Sequence, residues 1–238
     1  MTKFKPIRQL RVSEKVAEQI KQAILLGHFK LADKLPAERD LAEEFKVSRV
    51  AIREALRKLE HSGFIVTRQG ATGGAYVTEL TFEYLVHAFL DLFLAGKISI
   101  FEMSRVRILV EPEIARLAAL NITPEYAQQL KDALDGEELP VDTVTEDVIR
   151  KQKVHLILAE TSGNRFFEAI DRGLMGLTKN VVEAIESFPR LHPAGLHRPI
   201  VEAVLAKDAE AAAEAMKKHS TEFGQILVEV EKDYRKKI

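Results

Sequence analysis

Apolar and polar positions along the first eighty residues follow two different periods. Three segments place apolar residues three or four positions apart, and this spacing predicts three amphipathic helices. The segments are residues 12–27, 35–45 and 48–62. Strand-forming residues then lie on both sides of a glycine-rich stretch, which predicts a β-hairpin over residues 64–77. Three helices and a hairpin are enough for a small compact domain, covering residues 1–80.

The remainder of the chain shows only the helical period. Seven apolar-periodic segments follow one another from residue 81, and glycine, proline or aspartate residues separate them. Short connections between helices favour antiparallel neighbours. The pattern predicts an antiparallel bundle of six or seven helices over residues 81–238, and therefore a mainly α protein with two domains.

Composition narrows the class of protein. The 238 residues include no cysteine, which excludes disulfide bonds and thiolate metal sites and suits a reducing compartment. No segment has the length and apolar character of a signal peptide or a membrane-spanning helix. We therefore expect a cytoplasmic protein without a membrane partner.

Charge is divided unevenly between the two predicted domains. The whole chain has a formal net charge of −1, but the first 80 residues contain 15 basic and 10 acidic side chains, against 20 and 26 in the remainder. A basic first domain on an acidic second domain indicates different partners for the two, although ordinary fluctuation gives such differences as well.

The second and third predicted helices are separated by a tight turn, which is the pattern of a helix-turn-helix. Ser48 caps the third helix, which carries Arg49, Arg53 and Arg57 four residues apart on one face. Like charges on one face repel each other, so a partner with regularly spaced negative charge would stabilise the row. In such a motif the second helix enters the DNA major groove, where Ser48 and Arg49 would reach base edges and phosphates.

The hairpin would then form the wing of a winged helix. Its tip carries Arg68 and Gln69 on a glycine-rich loop, and glycine lets the backbone approach a phosphate closely. The alternative is that the arginines of the third helix form a solvated face paired with Glu54 and Glu60. The helix spacing, the hairpin and the local positive charge together favour binding to double-stranded DNA.

Residues 10–78 also resemble a known family. The stretch LPAERDLAEEFKVSRVAIREALRKLEHSGFI, followed by GGAYV, is similar to the winged-helix domain of the GntR family of bacterial transcription regulators. The resemblance implies a homodimer on a near-palindromic operator, with six DNA-binding residues. These are Arg39, Ser48, Arg49, Arg53, Gln69 and Gly70. One departure is Asp33, where the family usually has glycine; we expect Asp33 to take the left-handed conformation of that turn.

Three histidines of the second domain have a spacing that would bring them together. His197 and His219 each lie 11 residues from Asp208, at the turn between the last two predicted helices, so they would be level in an antiparallel hairpin. His155 lies within an apolar helical segment. Three inward imidazoles suit a divalent metal such as zinc or nickel, with open positions for a ligand. Three unrelated histidines with ordinary hydrogen bonds are the alternative.

Residues 81–235 resemble the all-helical FCD effector domain of FadR-type members of the family. The similar stretches are RVRILVEPEIARLAA, VHLILAETSGN and LHRPIVEAVLAKDAEAAAEAMKKH. The resemblance implies that His155, His197 and His219 bind a metal together with an aspartate one helical turn before His155. Lys151 occupies that position, and an ammonium group has no lone pair for a cation. The histidines would then be the only protein ligands, metal binding would be weak, or the pocket would work without metal.

Arg107 and Lys151 are candidates for binding an effector. Arg107 lies on a largely apolar helix, where a guanidinium needs a partner such as the carboxylate of a small organic acid. A structural pair with Glu111 or Glu102 is equally consistent with the sequence. Lys151 would be a second contact for the anion if it faces the pocket.

Together these patterns predict a ligand-responsive transcription regulator rather than an enzyme. A metal-dependent enzyme using His155, His197 and His219 is the alternative, but no activated nucleophile, acid/base pair or phosphate-binding loop accompanies the histidines. A protein–protein adaptor would leave the row of arginines unexplained.

Overall fold

The computed structural model describes residues 12–70, 72–183 and 195–235. Over these residues the chain forms ten α-helices and one two-stranded antiparallel sheet. It divides into two compact units, one up to Tyr84 and one from Leu85 onward. The mainly α fold class predicted from the sequence is confirmed.

The first unit consists of three helices and a hairpin that share one core. Its elements are α1 Val12–Leu25, α2 Glu38–Phe45, α3 Arg49–His61, β1 Ile65–Arg68 and β2 Gly74–Val77. The strands pair antiparallel with Ile65 opposite Val77. Buried apolar residues from every element pack together, among them Ile20 of α1, Leu41 of α2 and Ile52 of α3. This is the predicted winged helix-turn-helix.

The turn between α2 and α3 is built from two local signals. Lys46 ends α2 in the left-handed conformation, with φ of 53°. Ser48 begins α3 as its N-cap, and its Oγ accepts a hydrogen bond from the N–H of Ala51 at 3.2 Å. Because Ile52 and Leu59 of α3 face the core, the arginine row is turned toward solvent.

The turn that precedes α2 corrects one expectation. The left-handed residue is Ala32, with φ of 68°, and not Asp33. The Asp33 carboxylate instead accepts the N–H of Lys30 at 2.6 Å. Aspartate thus stabilises this turn through its side chain, one residue away from the position that needs the unusual backbone.

The second unit contains seven helices within the described residues, as the sequence pattern predicted. They are α4 Glu83–Leu94, α5 Ile100–Asn121, α6 Pro124–Glu138, α7 Val144–Thr161, α8 Arg165–Glu183, α9 Arg198–Leu205 and α10 Ala209–Arg235. α5 and α10 run antiparallel along each other. Two hydrogen bonds show this direction: the backbone N–H of Ile100, at the start of α5, donates to Glu231 near the end of α10, and Ser220 donates to Glu111 near the middle of both helices. Two apolar clusters fill the space between the helices.

α4 packs against α8 through two glycines that leave no room for a side chain. A Cβ built on Gly173 would lie 2.6 Å from the ring of Phe89, and one on Gly176 would be closer still to Val86. Real Cβ atoms do not approach other heavy atoms so closely, so the side chains of Phe89 and Val86 pack directly on the backbone of α8 at these glycines.

Polar caps fix the starts of several helices in this unit. Ser99 and Glu102 form a reciprocal capping box at the start of α5. Thr123 caps α6 and Thr143 caps α7. Among the described residues, every helix is too short or too polar to span a lipid bilayer.

Candidate functional site

The arginine face of α3 is exposed and partly neutralised by α2. Arg49 and Arg53 keep 60% and 56% of their side-chain surface exposed. Glu38 Oε2 accepts a hydrogen bond from Arg53 Nε at 2.7 Å and lies 3.7 Å from Arg49 Nη2. A single carboxylate at the start of α2 therefore holds the first two arginines of the row.

The partners considered from the sequence, Glu54 and Glu60, are engaged elsewhere. Glu54 lies 3.9 Å from Lys58, and Glu60 accepts the N–H of Thr67 in β1. Arg57, the third arginine of the row, forms no ion pair in the part of the chain that the structure describes. The row is therefore not uniform, because Arg57 is available to an outside anion while Arg49 and Arg53 are held.

An open groove of about 900 Å³ lies between α3 and the hairpin. Its cationic lining residues are Lys34, Arg53, Arg57 and Arg68. Gln69 and Gly70 from the hairpin tip line it as well. Gly70 has φ of 102°, a backbone conformation that other residues adopt only with strain. The groove is therefore lined by more cationic than acidic side chains, and at the hairpin tip a glycine backbone without a side chain is open to a ligand.

Tyr76 of β2 fixes the base of the wing. The guanidinium of Arg68 lies 4.6 Å from the centre of its ring, and the ammonium of Lys34 lies 5.7 Å from it. The Tyr76 hydroxyl donates to the carbonyl of Thr72 at 2.5 Å. Two cations are thereby kept at the mouth of the groove.

The structure brings together only part of the predicted DNA-binding set. Arg53, Gln69 and Gly70 line the groove, and Arg49 lies one turn from Arg53 on the same face. The Ser48 hydroxyl is used in the cap of α3. The sixth member, Arg39 on α2, does not line the groove, and its Nε lies 3.4 Å from Asp40 Oδ1.

The three predicted histidines meet in the second unit. His155 lies on α7, His197 directly before α9 and His219 on α10, and all three are buried. His155 Nε2 lies 3.1 Å from the Nε2 of His197 and 3.2 Å from the Nε2 of His219. Three ring nitrogens from three separate segments thus converge on one point.

Hydrogen bonds between the rings do not account for this convergence. A neutral ring nitrogen carries either one hydrogen or one lone pair, so His155 Nε2 can form only one of the two as a well-aligned bond. Glu137 Oε1 accepts the Nδ1 hydrogen of His197 at 2.6 Å, which leaves the Nε2 lone pair directed at the other rings. Two zinc–nitrogen bonds of about 2.0–2.1 Å in tetrahedral coordination would place the nitrogens roughly 3.3–3.4 Å apart, slightly beyond the 3.1 and 3.2 Å found here. The donor set therefore fits a divalent metal.

Arg107 lies beside the histidines and pairs with Glu111 one turn along α5, as one of the sequence alternatives proposed. Its Nε donates to Glu111 Oε1 at 2.8 Å, and Ser220 donates to the other carboxylate oxygen. The guanidinium also stacks on Phe223, 4.9 Å from the ring centre. Although only 1% of Arg107 is exposed, its Nη1 has no hydrogen-bond partner within the described residues. Such a buried donor needs a partner, and an anion would supply one.

Lys151 is buried and pairs with Asp147 one turn earlier on α7. Its Nζ donates to Asp147 Oδ2 at 2.7 Å. Lys151 lines a cavity of about 20 Å³ together with Arg107 and His155. That volume holds about one water molecule. A carboxylate thus compensates the lysine that stands at the position of the family's aspartate.

Asp171 on α8 is a buried carboxyl group that the sequence analysis missed. Its Oδ2 has no hydrogen-bond partner among the residues described. Burial, and then the carboxylate of Glu111, raises the pKa of Asp171 to about 8, while Arg107 and Arg172 act in the opposite direction. Burial thus favours the protonated form of Asp171.

Two further residues were also missed. Glu137 is 60 residues away from His197 along the chain, and nothing in its local sequence marks it. Glu38 could not be linked to the arginines without knowing the angle between α2 and α3. Asp171 did carry a signal, because it lies on the same face of α8 as the buried Leu174 and Met175, where an acidic residue is unusual.

Two family models match the chain in sequence order. The model of bacterial regulatory proteins of the gntR family matches residues 12–77, and the FCD domain model matches residues 102–222. The chain belongs to the GntR family. This confirms the resemblance found in the sequence, in both the winged helix and the helical effector domain.

Relatives of this GntR-family chain cover most of its length. The Uxu operon regulator of Haemophilus influenzae is 30% identical over 216 residues, which is 88% of this chain and 79% of that protein. The Uxu operon transcriptional regulator of Escherichia coli is 29% identical over 228 residues, 92% of this chain and 88% of that protein. A solved GntR structure from Streptococcus agalactiae superposes with a TM-score of 0.59 at 25% identity, covering 90% of this chain and 99% of that one.

A GntR winged helix joined to an FCD domain makes this chain a ligand-responsive, DNA-binding transcription regulator. The names of these relatives describe regulators of transcription and not enzymes. The metal-dependent enzyme considered as an alternative is therefore not favoured.

Proposed function

We propose that this regulator binds a near-palindromic operator as a homodimer and responds to a small carboxylate held beside a divalent metal. The observation that carries the proposal is the convergence of three imidazole nitrogens next to the buried Nη1 of Arg107, which has no partner within the described residues. Such a site suits a cation and an anion together. A regulator bound to operator DNA would act in the cytoplasm.

DNA binding would use the exposed face of the first unit. Arg49 and Arg53 would reach base edges and phosphates from the start of α3, while Ser48 holds that helix end in place. Gln69 and Gly70 would bring the wing against the neighbouring backbone. The outlying contact would be Arg39, whose exposed guanidinium suits a phosphate beyond the groove.

Replacing Arg57 with alanine will weaken binding to random and cognate duplexes by a similar factor. Arg57 has no partner that orients it toward a base, so we expect it to contact a phosphate. The slope of log affinity against log salt should fall by about 1 for each bound chain. Fluorescence anisotropy with a labelled random duplex measures this slope. Lys30→Ala, an exposed lysine outside the groove lining, is the control; an equal slope in both variants would contradict the assignment.

Metal binding would use His155, His197 and His219, with Glu137 fixing the tautomer of His197. A zinc or nickel ion held there would supply a Lewis acid with positions open to a carboxylate oxygen. Because Lys151 replaces the usual aspartate, the position one turn before His155 adds no negative ligand. Arg107 and Lys151 line the neighbouring cavity and would bind the same small organic acid.

Effector binding would require this cavity to open. Its volume of about 20 Å³ holds one water molecule and not a carboxylic acid. A ligand that binds only to the opened form shifts the protein toward that form. The small cavity therefore supports the proposal that the effector binds only together with a conformational change of the second unit.

Dimerisation would use α5. Leu109 and Phe101 lie two turns apart on one face of this helix and are 75% and 58% exposed. We propose that a second copy of the chain covers them, since exposed large apolar side chains mark interfaces. A twofold dimer would also explain a near-palindromic operator.

Leu109→Glu will weaken the homodimer without unfolding the chain. A buried carboxylate at the interface should raise the dissociation constant of the dimer by about tenfold or more. Sedimentation equilibrium measures this constant, and operator affinity should fall with it. Leu26→Glu, a leucine of the first unit that is 71% exposed, serves as the matched control. Dimer constants that agree between the two variants would exclude this face of α5.

Asp171→Asn will stabilise the protein at alkaline pH. The folded pKa of about 8 lies above the ordinary aspartate pKa of 3.8, so stability falls as pH rises from 3.8 to about 8. Asparagine carries no charge at any pH, so the variant does not show this loss of stability. With a metal chelator present, we expect the variant to melt about 2–6 °C above the wild type at pH 8.5, with a difference that shrinks as pH falls and is small at about pH 4. Asp91→Asn, at an exposed site, is the control, and parallel pH profiles for wild type and Asp171→Asn would contradict the burial argument.

The proposed function is tested by selecting operators from random duplex DNA with the full chain. A twofold-symmetric motif is the expected result. Repeating the selection with a panel of carboxylic acids, in the presence of zinc or nickel, should change the yield of bound DNA for one chemical class. A chain that enriches no sequence under any of these conditions would refute the proposal.

A further inference from the structure

Glu38 is an acidic residue within the face proposed to meet DNA. It lies in the first turn of α2, where the helix dipole stabilises a carboxylate. One of its oxygens lies 2.7 Å from Arg53 Nε and 3.7 Å from Arg49 Nη2. Its side chain is 33% exposed and lines the groove. An acid at this place would repel a duplex, so its presence requires an explanation.

The contact with Glu38 fixes one edge of Arg53 and leaves the other available. The hydrogen bond uses Nε, so the two terminal amino groups can still form a fork-shaped contact with an acceptor pair. In the major groove, guanine offers such a pair through its O6 and N7 atoms. An arginine that is already held loses less rotamer freedom on binding. Glu38 therefore prepares Arg53 for a base with the right acceptors.

The same carboxylate disfavours duplexes of the wrong sequence. Phosphates that approach the groove meet a negative charge, and this repulsion is present for every sequence. A cognate site offsets it with the forked contact, whereas a random site does not. A group that assists one class of partner and repels the other increases the difference in affinity between them.

We propose that Glu38 is a positioning residue that sets sequence discrimination, by orienting Arg49 and Arg53 toward guanine edges in double-stranded DNA. The inference rests on the proposed DNA-binding function. A purely structural role at the start of α2 predicts a different outcome, because loss of the helix-dipole contribution would change stability and leave the affinity ratio of cognate to random DNA unchanged.

Three variants of the full chain separate these roles. Glu38→Gln removes the charge and keeps the length of the side chain. Glu38→Asp keeps the charge and shortens the reach by one methylene. Glu44→Gln makes the same charge change at an exposed site on the same helix, outside the groove lining. Affinities for the motif selected by the wild type and for a random duplex are measured at one salt concentration, with melting temperatures as the check on folding.

For Glu38→Gln we expect tighter binding to random DNA and no gain on the motif, so that the affinity ratio falls about tenfold. Glu44→Gln should raise both affinities by the same factor and keep the ratio. Glu38→Asp should bind random DNA as the wild type does and bind the motif several-fold more weakly. Selection repeated with Glu38→Gln should lose information at a guanine position.

The result that would overturn the inference is a ratio for both Glu38 variants equal to that of the wild type. Failure of this inference can be told apart from failure of the proposed function. If the proposed function is wrong, the wild-type chain will select no motif at all. The aspartate variant keeps the test decisive if the glutamine variant is unstable, because it retains the charge in the first turn of α2.

Discussion

His155→Ala is expected to retain less than about a tenth of the divalent metal that we propose the wild type binds, because it removes one of only three proposed protein ligands. His155 Nε2 is the central atom of the cluster, lying 3.1 and 3.2 Å from the other two ring nitrogens. His197 and His219 would then be the two remaining ligands, without the ring nitrogen that lies next to both of theirs. Metal content by elemental analysis, after incubation with zinc or nickel and gel filtration, measures the effect.

Two further variants make this test specific. His61→Ala changes an exposed histidine at the end of α3 and should keep the wild-type metal content. Glu137→Gln retains the ligands and weakens the acceptor for His197 Nδ1, so metal affinity should fall by about 10–100-fold. Equal metal content in His155→Ala and His61→Ala would show that the histidines are not ligands.

Arg107→Met will destabilise the second unit strongly. The Glu111 carboxylate is buried; without the guanidinium, Ser220 is its remaining hydrogen-bond donor among the described residues, and His155 Nδ1 lies 3.6 Å away. Removing one partner of a buried ion pair costs about 3–5 kcal/mol. Equilibrium unfolding in urea, followed by circular dichroism, gives the change in the free energy of unfolding. Arg105→Met, on an exposed position of the same helix, should be close to neutral.

The double variant Arg107→Met/Glu111→Gln separates charge from packing. If the loss comes from an uncompensated carboxylate, neutralising Glu111 should restore more than half of the stability. The restored protein would still lack the guanidinium proposed to bind the effector, so it should fold and fail to respond to carboxylic acids. A double variant as unstable as Arg107→Met would assign the loss to the stacking of Arg107 on Phe223.

Much of the fold follows from local signals that sequence carries directly. Ser48 was identified as the cap of α3 because serine before an apolar-periodic segment satisfies free N–H groups at the helix start. The helices of the second unit were found because their apolar faces recur with the helical period. Local sequence signals do not predict the turn at Ala32. The residue that takes positive φ there depends on side-chain hydrogen bonds, such as the one that Asp33 accepts from the N–H of Lys30.

The site was predictable where distance along a helix decides the geometry. His197 and His219 lie equally far from Asp208, and their rings are 4.6 Å apart. Arg107 and Glu111 are one turn apart and pair as one alternative required. The residues that were missed depend on how helices rotate against each other, since Glu38 acts from α2 on α3 and Glu137 from α6 on His197. The spacing of residues along the sequence does not determine how one helix is rotated against another, so these contacts could not be predicted.

α8 presents one set of residues to the cavity and another to α4. Met175 and Thr178 form part of the cavity wall, while Gly173 and Gly176 contact the side chains of Phe89 and Val86 on α4. Because these positions have no room for even a Cβ atom, we expect a ligand that displaces α8 to displace α4 as well. α4 begins at Glu83, close to the end of the first unit at Tyr84, so we propose that the two glycines couple the effector cavity to the segment between the units.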